Sequence, residues 1–189
     1  MLNLFSRFAF LAMALLATPV FAQEAPTPRA AYQINAGDTL EISVWKEPDL
    51  QREVLVRPDG GISFPLAGDL KAEGLTVTQI RAELESRLAR YIPDLVITVS
   101  LIDVSGNRIY VIGQVKDPGA FVMNPELNVM QALSLAGGTT PFASLGNVRI
   151  LRRQGGSQVA LPFDFTEVSK GRSLEQNIAL QSGDVVVVP

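Results

Sequence analysis

The chain reads as an α+β protein built from two small domains, each a helix packed on a β-sheet. Short apolar runs of period two, such as Leu40, Ile42 and Val44, are bounded by Gly-Asp and Pro-Asp-Gly-Gly turn signals. Two windows switch to helical spacing, one opened by Thr76 with Gln79 three residues on, the other by Asn128 with Gln131. Strand runs surround both windows, which is the pattern of sheets carrying single helices rather than of a bundle.

Gly37-Asp38 predicts a tight turn, since Gly tolerates positive φ and Asp bonds its own backbone, and it opens the strand Leu40 to Val44. A second extended piece runs from Glu53 to Arg57 and enters the hairpin turn Pro58-Asp59-Gly60-Gly61. Ile62, Phe64 and Leu66 alternate on the return strand, which Gly68-Asp69 closes. Thr76 then caps a helix, with Leu75 and Ile80 placed as a hydrophobic staple. Val77, Ile80, Leu84, Leu88 and Tyr91 give it one apolar face, and Pro93 stops it. Leu95 to Val99 follows as a β-branched strand. This first domain covers residues 31–103.

The second domain covers residues 107–189. It opens with the strand Arg108 to Val115, with Gly113 inside it, then the turn Asp117-Pro118-Gly119 and the short strand Ala120 to Met123. Asn128 caps a helix that turns Val129, Met130, Leu133 and Ala136 inward and ends at Gly137-Gly138. Strands follow at Val148 to Arg152, Gln158 to Leu161 and Asp184 to Val188. Hairpin, helix, then further strands is the order of a β-grasp. The stretches INAGDTLEISV and LQSGDVVVV echo each other around Gly37-Asp38 and Gly183-Asp184, and are read as convergent turn chemistry.

Upstream, Arg7 precedes an apolar run from Phe8 to Ala17, a Pro19 break and Val20-Phe21-Ala22. That layout predicts a signal peptide at 1–22, cleaved after Ala22, with an extended Pro-containing linker at 23–30. The mature chain is therefore expected outside the cytoplasm.

Composition narrows the chemistry. Among 189 residues, 47% are apolar and 19% charged, the formal net charge is -3, and there is neither cysteine nor histidine. No basic footprint for nucleic acid is present. Disulfides, thiol nucleophiles, zinc-thiolate sites, lipid attachment at cysteine and histidine acid-base chemistry are all removed. Asp38, Asp59, Asp69, Asp117 and Asp184 sit beside Gly or Pro, where turns want them, and none is read as catalytic; no cofactor, metal or catalytic residue is expected. Trp45 with Tyr32 and Phe64 could stack a sugar, but aromatic residues on alternating strands more often fill a core. Arg149, Arg152 and Arg153 form the dense basic cluster, read first as a solvated strand face and second as a contact for an anionic polymer or a neighbour's acidic face.

In order, Tyr32-Gln33-Ile34, Gly37-Asp38, Leu40-x-Ile42-x-Val44-Trp45, Pro48-x-Leu50 and Val56-x-Pro58-Asp59-Gly60-x-Ile62-x-x-Pro65-x-x-Gly68 resemble the export domain of bacterial outer-membrane polysaccharide exporters, the Wza-like family. Val111-x-Gly113-x-Val115-x-x-Pro118-Gly119-x-Phe121 and Ala132-Leu133-x-x-Ala136-Gly137-Gly138 are similar to the family's SLBB repeat, a β-grasp module. The resemblance implies a short, non-lipidated member: a non-enzymatic subunit of a homo-oligomeric ring that carries exopolysaccharide or capsule toward and across the outer membrane. The implied location is the periplasm, in association with the outer membrane, and the implied partners are the polysaccharide, an inner-membrane chain-length (copolymerase) protein and a separate outer-membrane β-barrel, without nucleic acid. The alternative is a monomeric periplasmic module that binds a glycan or small ligand.

Overall fold

A computed structural model describes residues 31–189; the expected signal peptide and linker lie outside the described residues. Two apolar clusters organise this stretch. The first draws on Ile34 to Val99, the second on Ile109 to Val188.

In the first part, β1 (Thr39–Val44) is the centre of a three-stranded antiparallel sheet between β2 (Glu47–Leu55) and β5 (Ile97–Asp103). Leu40, Ile42 and Val44 point into the core, as their alternation requires. Helix α1 (Val77–Leu88) packs Ile80, Leu84 and Leu88 against β5, and its capping box is complete: the Thr76 side chain accepts from Gln79 N, and Gln79 Oε1 accepts from Thr76 N at 2.8 Å. Such a box satisfies two of the amides that a helix start leaves open.

Three expectations need correction here. The return strand β3 (Gly61–Phe64) pairs with β4 (Gly68–Lys71), not with β2. Leu66 therefore does not continue it: Leu66 is exposed in the β3–β4 turn at φ 64°, and Gly68-Asp69 opens β4 instead of closing β3. The helix ends at Leu88, so Tyr91 lies beyond its apolar face, exposed, with the Arg90 guanidinium 4.7 Å from its ring centroid.

The second part is a five-stranded sheet in the order β7-β6-β10-β8-β9. Its strands are β6 (Arg108–Gly113), β7 (Gly119–Val122), β8 (Val148–Gln154), β9 (Ser157–Phe163) and β10 (Val185–Val188). The last strand inserts between the two hairpins and runs parallel to β6, completing the β-grasp order. Helix α2 (Val129–Leu135) covers one face, and Gly137 and Gly138 close it as expected. Gly138 N donates to Leu133 O at 2.9 Å and Gly137 N to Ser134 O at 3.1 Å, both glycines at positive φ, which is the Schellman arrangement. A short third helix, α3 (Phe165–Ser169), was not signalled by any periodicity.

Candidate functional site

The turn residues singled out in the sequence hold the framework. Asp38 is fully buried and its carboxylate gathers three donors: Tyr32 Oη at 2.7 Å, Asn35 N at 2.8 Å and Gly106 N at 3.0 Å. Burial, then the bond to Asp38, pushes the Tyr32 hydroxyl well above its ordinary pKa. Asp184 is built the same way, accepting from Gln181 N at 2.9 Å. Pro58-Asp59-Gly60 forms a turn in which Gly60 N donates to Arg57 O at 2.8 Å and Gly60 sits at φ 77°. Gly113 at φ 95° lies so close to β10 that an added Cβ would fall 2.0 Å from Val188 O. Gly119, beside Pro118, has open space around it.

The three arginines do not form one cluster. Val148, Ile150 and Arg152 alternate toward the core on β8, while Arg149 and Arg153 face outward. Arg152 Nη2 meets Asp184 Oδ2 at 2.6 Å, with side chains only 10% and 1% exposed, and also donates to Ala179 O at 3.0 Å. It is thus committed inside the fold and is removed from the basic face predicted from sequence. Nothing in the letters marks this pair, because its members stand 32 residues apart.

Arg149 and Arg153 share the outward face of the second sheet with Tyr110, Ile112 and Val122, all exposed, and with half-buried Val185 and Val187. The outward face of the first sheet has a different character. There Glu41 and Glu53 are direct cross-strand partners, a like-charge pairing that disfavours the isolated sheet, and Gln51 Nε2 donates to Glu41 Oε1 at 3.2 Å.

Trp45 departs furthest from expectation. It lies with Lys46 in the two-residue loop between β1 and β2 and is 70% exposed, whereas Phe64 is buried in the core. A concavity of about 320 Å³ adjoins it, whose lining includes the apolar Trp45 and Val96 and the polar Lys46, Glu47, Gln51 and Thr98. A second depression holds Arg57 between Asp59 and Asp69, at 3.2 and 3.1 Å. The Arg57 guanidinium lowers the Asp59 pKa, and the Ser63 hydroxyl followed by Arg57 lowers that of Asp69. Opposite charges there satisfy one another. Among the described residues no three His, Cys, Asp or Glu side chains are placed to hold a metal, and no helix is long and apolar enough to cross a membrane.

Residues 26–102 match the family described as polysaccharide biosynthesis/export protein, and residues 107–188 match the SLBB domain. The EPS I polysaccharide export outer membrane protein EpsA of Ralstonia nicotianae is 30% identical over 194 residues, covering 90% of this chain and 49% of that protein. The exopolysaccharide production protein ExoF of Rhizobium meliloti is 28% identical, covering 73% of this chain and 34% of its own length. The capsule polysaccharide export outer membrane protein CtrA of Neisseria meningitidis is 26% identical, covering 84% and 44%. The chain thus spans about half the length of EpsA and less of the other two. With an export segment and an SLBB domain in tandem on an α+β framework, the chain belongs to the bacterial polysaccharide export protein family.

Proposed function

We propose that this chain is a subunit of a ring-shaped conduit that moves exopolysaccharide or capsular polysaccharide through the periplasm and across the outer membrane, and that it makes and breaks no covalent bond. The names of its relatives support the cargo. One observation carries the assembly: the two outward sheet faces differ and complement each other. Glu41 and Glu53 oppose each other on the first, while Arg149 and Arg153 flank the exposed Tyr110, Ile112 and Val122 on the second.

A contact between two unlike patches is heterologous, and it closes into a ring when the rotation between neighbours divides a full turn. Placing an arginine against the Glu41–Glu53 pair relieves its repulsion, and the apolar stripe supplies the area that two small cores cannot bury alone. The inner-membrane copolymerase and a separate outer-membrane β-barrel would meet the two ends of such a ring. The protein reaches the periplasm by the signal segment and touches the outer membrane through protein contacts.

The test is the mass of the purified protein in solution across concentration, alone and as the Ile112→Glu and Arg149→Glu variants. Oligomers that both variants dissociate, together with loss of surface polysaccharide in a deletion strain, are the expected result. A monomer at every concentration, with secretion unchanged by deletion, would overturn the conduit in favour of a monomeric binding module.

A further inference from the structure

We propose that Trp45 and the concavity beside it form a saccharide-binding subsite, a shallow ledge that takes one or two sugar rings of a passing chain. This rests on the polysaccharide-conduit reading and gives it a point of contact.

The loop carrying Trp45 is short and fixed. Val44 pairs directly with Glu47, leaving only Trp45 and Lys46 to turn the chain. Lys46 takes φ 65°, a conformation that costs a non-glycine residue free energy, so the loop holds its shape against local preference. Trp45 N donates to Val96 O at 2.9 Å, which ties the loop to the start of the neighbouring strand. An indole 70% exposed on such a rigid base is a large apolar plane held out in water.

The lining around it distinguishes a sugar from an apolar ligand. The face of a pyranose that carries its axial C–H groups is apolar and packs on an aromatic plane, while its rim of hydroxyls needs both donors and acceptors. Lys46 offers only donors, Glu47 only acceptors, and Gln51 and Thr98 offer both. A volume near 320 Å³ is at the small end of ligand sites, room for one or two rings. One stacked ring with a few water-exposed hydrogen bonds gives weak affinity, with Kd on the order of 1 mM. Weak contact suits a polymer that has to move on.

Trp45 is the chain's single tryptophan, so its emission reads this ledge alone. The full mature protein should be titrated with oligosaccharides made by partial acid hydrolysis of the producing cell's own surface polysaccharide, with maltoheptaose as the unrelated comparison. Expected are a saturable blue shift with the native fragments and, by saturation-transfer NMR, loss of at least tenfold in binding for Trp45→Ala and a smaller loss for Gln51→Ala. Both side chains are exposed, so both variants keep the far-UV circular dichroism of the parent. A silent emission with unchanged NMR contacts in Trp45→Ala would overturn the subsite. So would a blue shift that follows protein concentration and ignores sugar, because it would place Trp45 in a contact between subunits. Secretion separates the two ideas: if deletion abolishes secretion, Trp45→Ala restores it fully and the parent's emission does not respond to the native fragments, the subsite falls and the conduit stands. If deletion leaves secretion intact, the conduit falls whatever the titration shows.

Discussion

The buried pair Arg152–Asp184 offers the sharpest test of how the second part of the chain is held. Four contacts converge on Arg152: Nε to both Asp184 oxygens at 3.0 and 3.2 Å, Nη2 to Oδ2 at 2.6 Å, and Nη2 to Ala179 O at 3.0 Å. Arg152→Met keeps most of the side-chain volume and removes the charge, leaving Asp184 as a buried anion whose one remaining partner is the amide of Gln181. Breaking a buried pair from one side costs about 3–5 kcal/mol. At about 4–8 °C per kcal/mol for a folded part of this size, its midpoint of thermal unfolding should fall by roughly 12–40 °C. The double variant Arg152→Met/Asp184→Asn removes both charges and keeps an acceptor for Gln181 N, and it should recover most of the loss. A coupling of about 2–3 kcal/mol in the double-mutant cycle is expected. Urea unfolding followed by far-UV circular dichroism measures the free energies. Hydrogen exchange should place the loss in β8 and β10 and leave β1 and β5 protected. Arg57→Gln is the control, because its pairs with Asp59 and Asp69 are solvent-exposed and should contribute little to stability. If Arg152→Met costs no more than Arg57→Gln, the pair is not desolvated and the reasoning from burial is wrong.

Gly113→Ala should destabilise by more than the roughly 1–3 kcal/mol of positive-φ strain, because its Cβ would meet Val188 O at 2.0 Å and part the parallel strands. Gly119→Ala, with open space around it, should change the urea midpoint little. Gly60→Val forces a β-branched residue to φ 77° and onto Glu73, at a cost of about 1–3 kcal/mol, and should lower folding yield; normal folding with lost secretion would give the turn a direct part in transport. Asp69 has a lowered folded pKa, so its share of stability is present above the unfolded value of about 3.9 and is lost as pH falls through the folded value. The difference in unfolding midpoint between the parent and Asp69→Asn should therefore be largest at neutral pH and shrink as pH falls through the acid range; a difference that does not change with pH would remove the Ser63 and Arg57 contacts as its cause.

Features that neighbouring residues decide were legible in the sequence. Thr76 with Gln79, and Asn128 with Gln131, satisfy helix amides within one turn, and both boxes form. Alternation placed Leu40, Ile42 and Val44, since a strand's faces follow from its own letters. What failed depended on distant partners. The letters Ile62, Phe64 and Leu66 cannot tell that β3 pairs forward to β4, which forces a turn at Leu66. Arg152 looked like its neighbours Arg149 and Arg153 until the β8–β10 register set it beside Asp184. Trp45 was hidden because the run of extended residues continues past it, and the Trp-Lys loop carries none of the Gly, Asn or Asp signals that mark two-residue hairpins. Helix α3 is only five residues long, too short to show a period.

The repeated Gly-Asp turn gains a purpose from the fold that composition could not supply. Asp38 and Asp184 each cap the amide three residues back, at 2.8 and 2.9 Å, behind Gly37 at φ 96° and Gly183 at φ 86°. The same turn is thus made twice from unrelated flanks. Both copies reach Gly106: Asp38 Oδ1 accepts its N–H at 3.0 Å, and Ser182, next to Gly183, donates its hydroxyl to the Gly106 carbonyl at 3.0 Å. A Cβ at Gly106 would lie 2.4 Å from Ala36 O, so only glycine lets the chain pass between the turns. The link from β5 to β6 is therefore gripped on its donor and on its acceptor by the two sheets it joins. In a heterologous ring of the kind proposed, the angle between a subunit's two contact faces sets the rotation to the next subunit. With one face on each sheet, a loose link would spread that angle and favour open filaments. Two short turns bonded to one glycine restrict that spread, as a closing ring of the proposed kind would require.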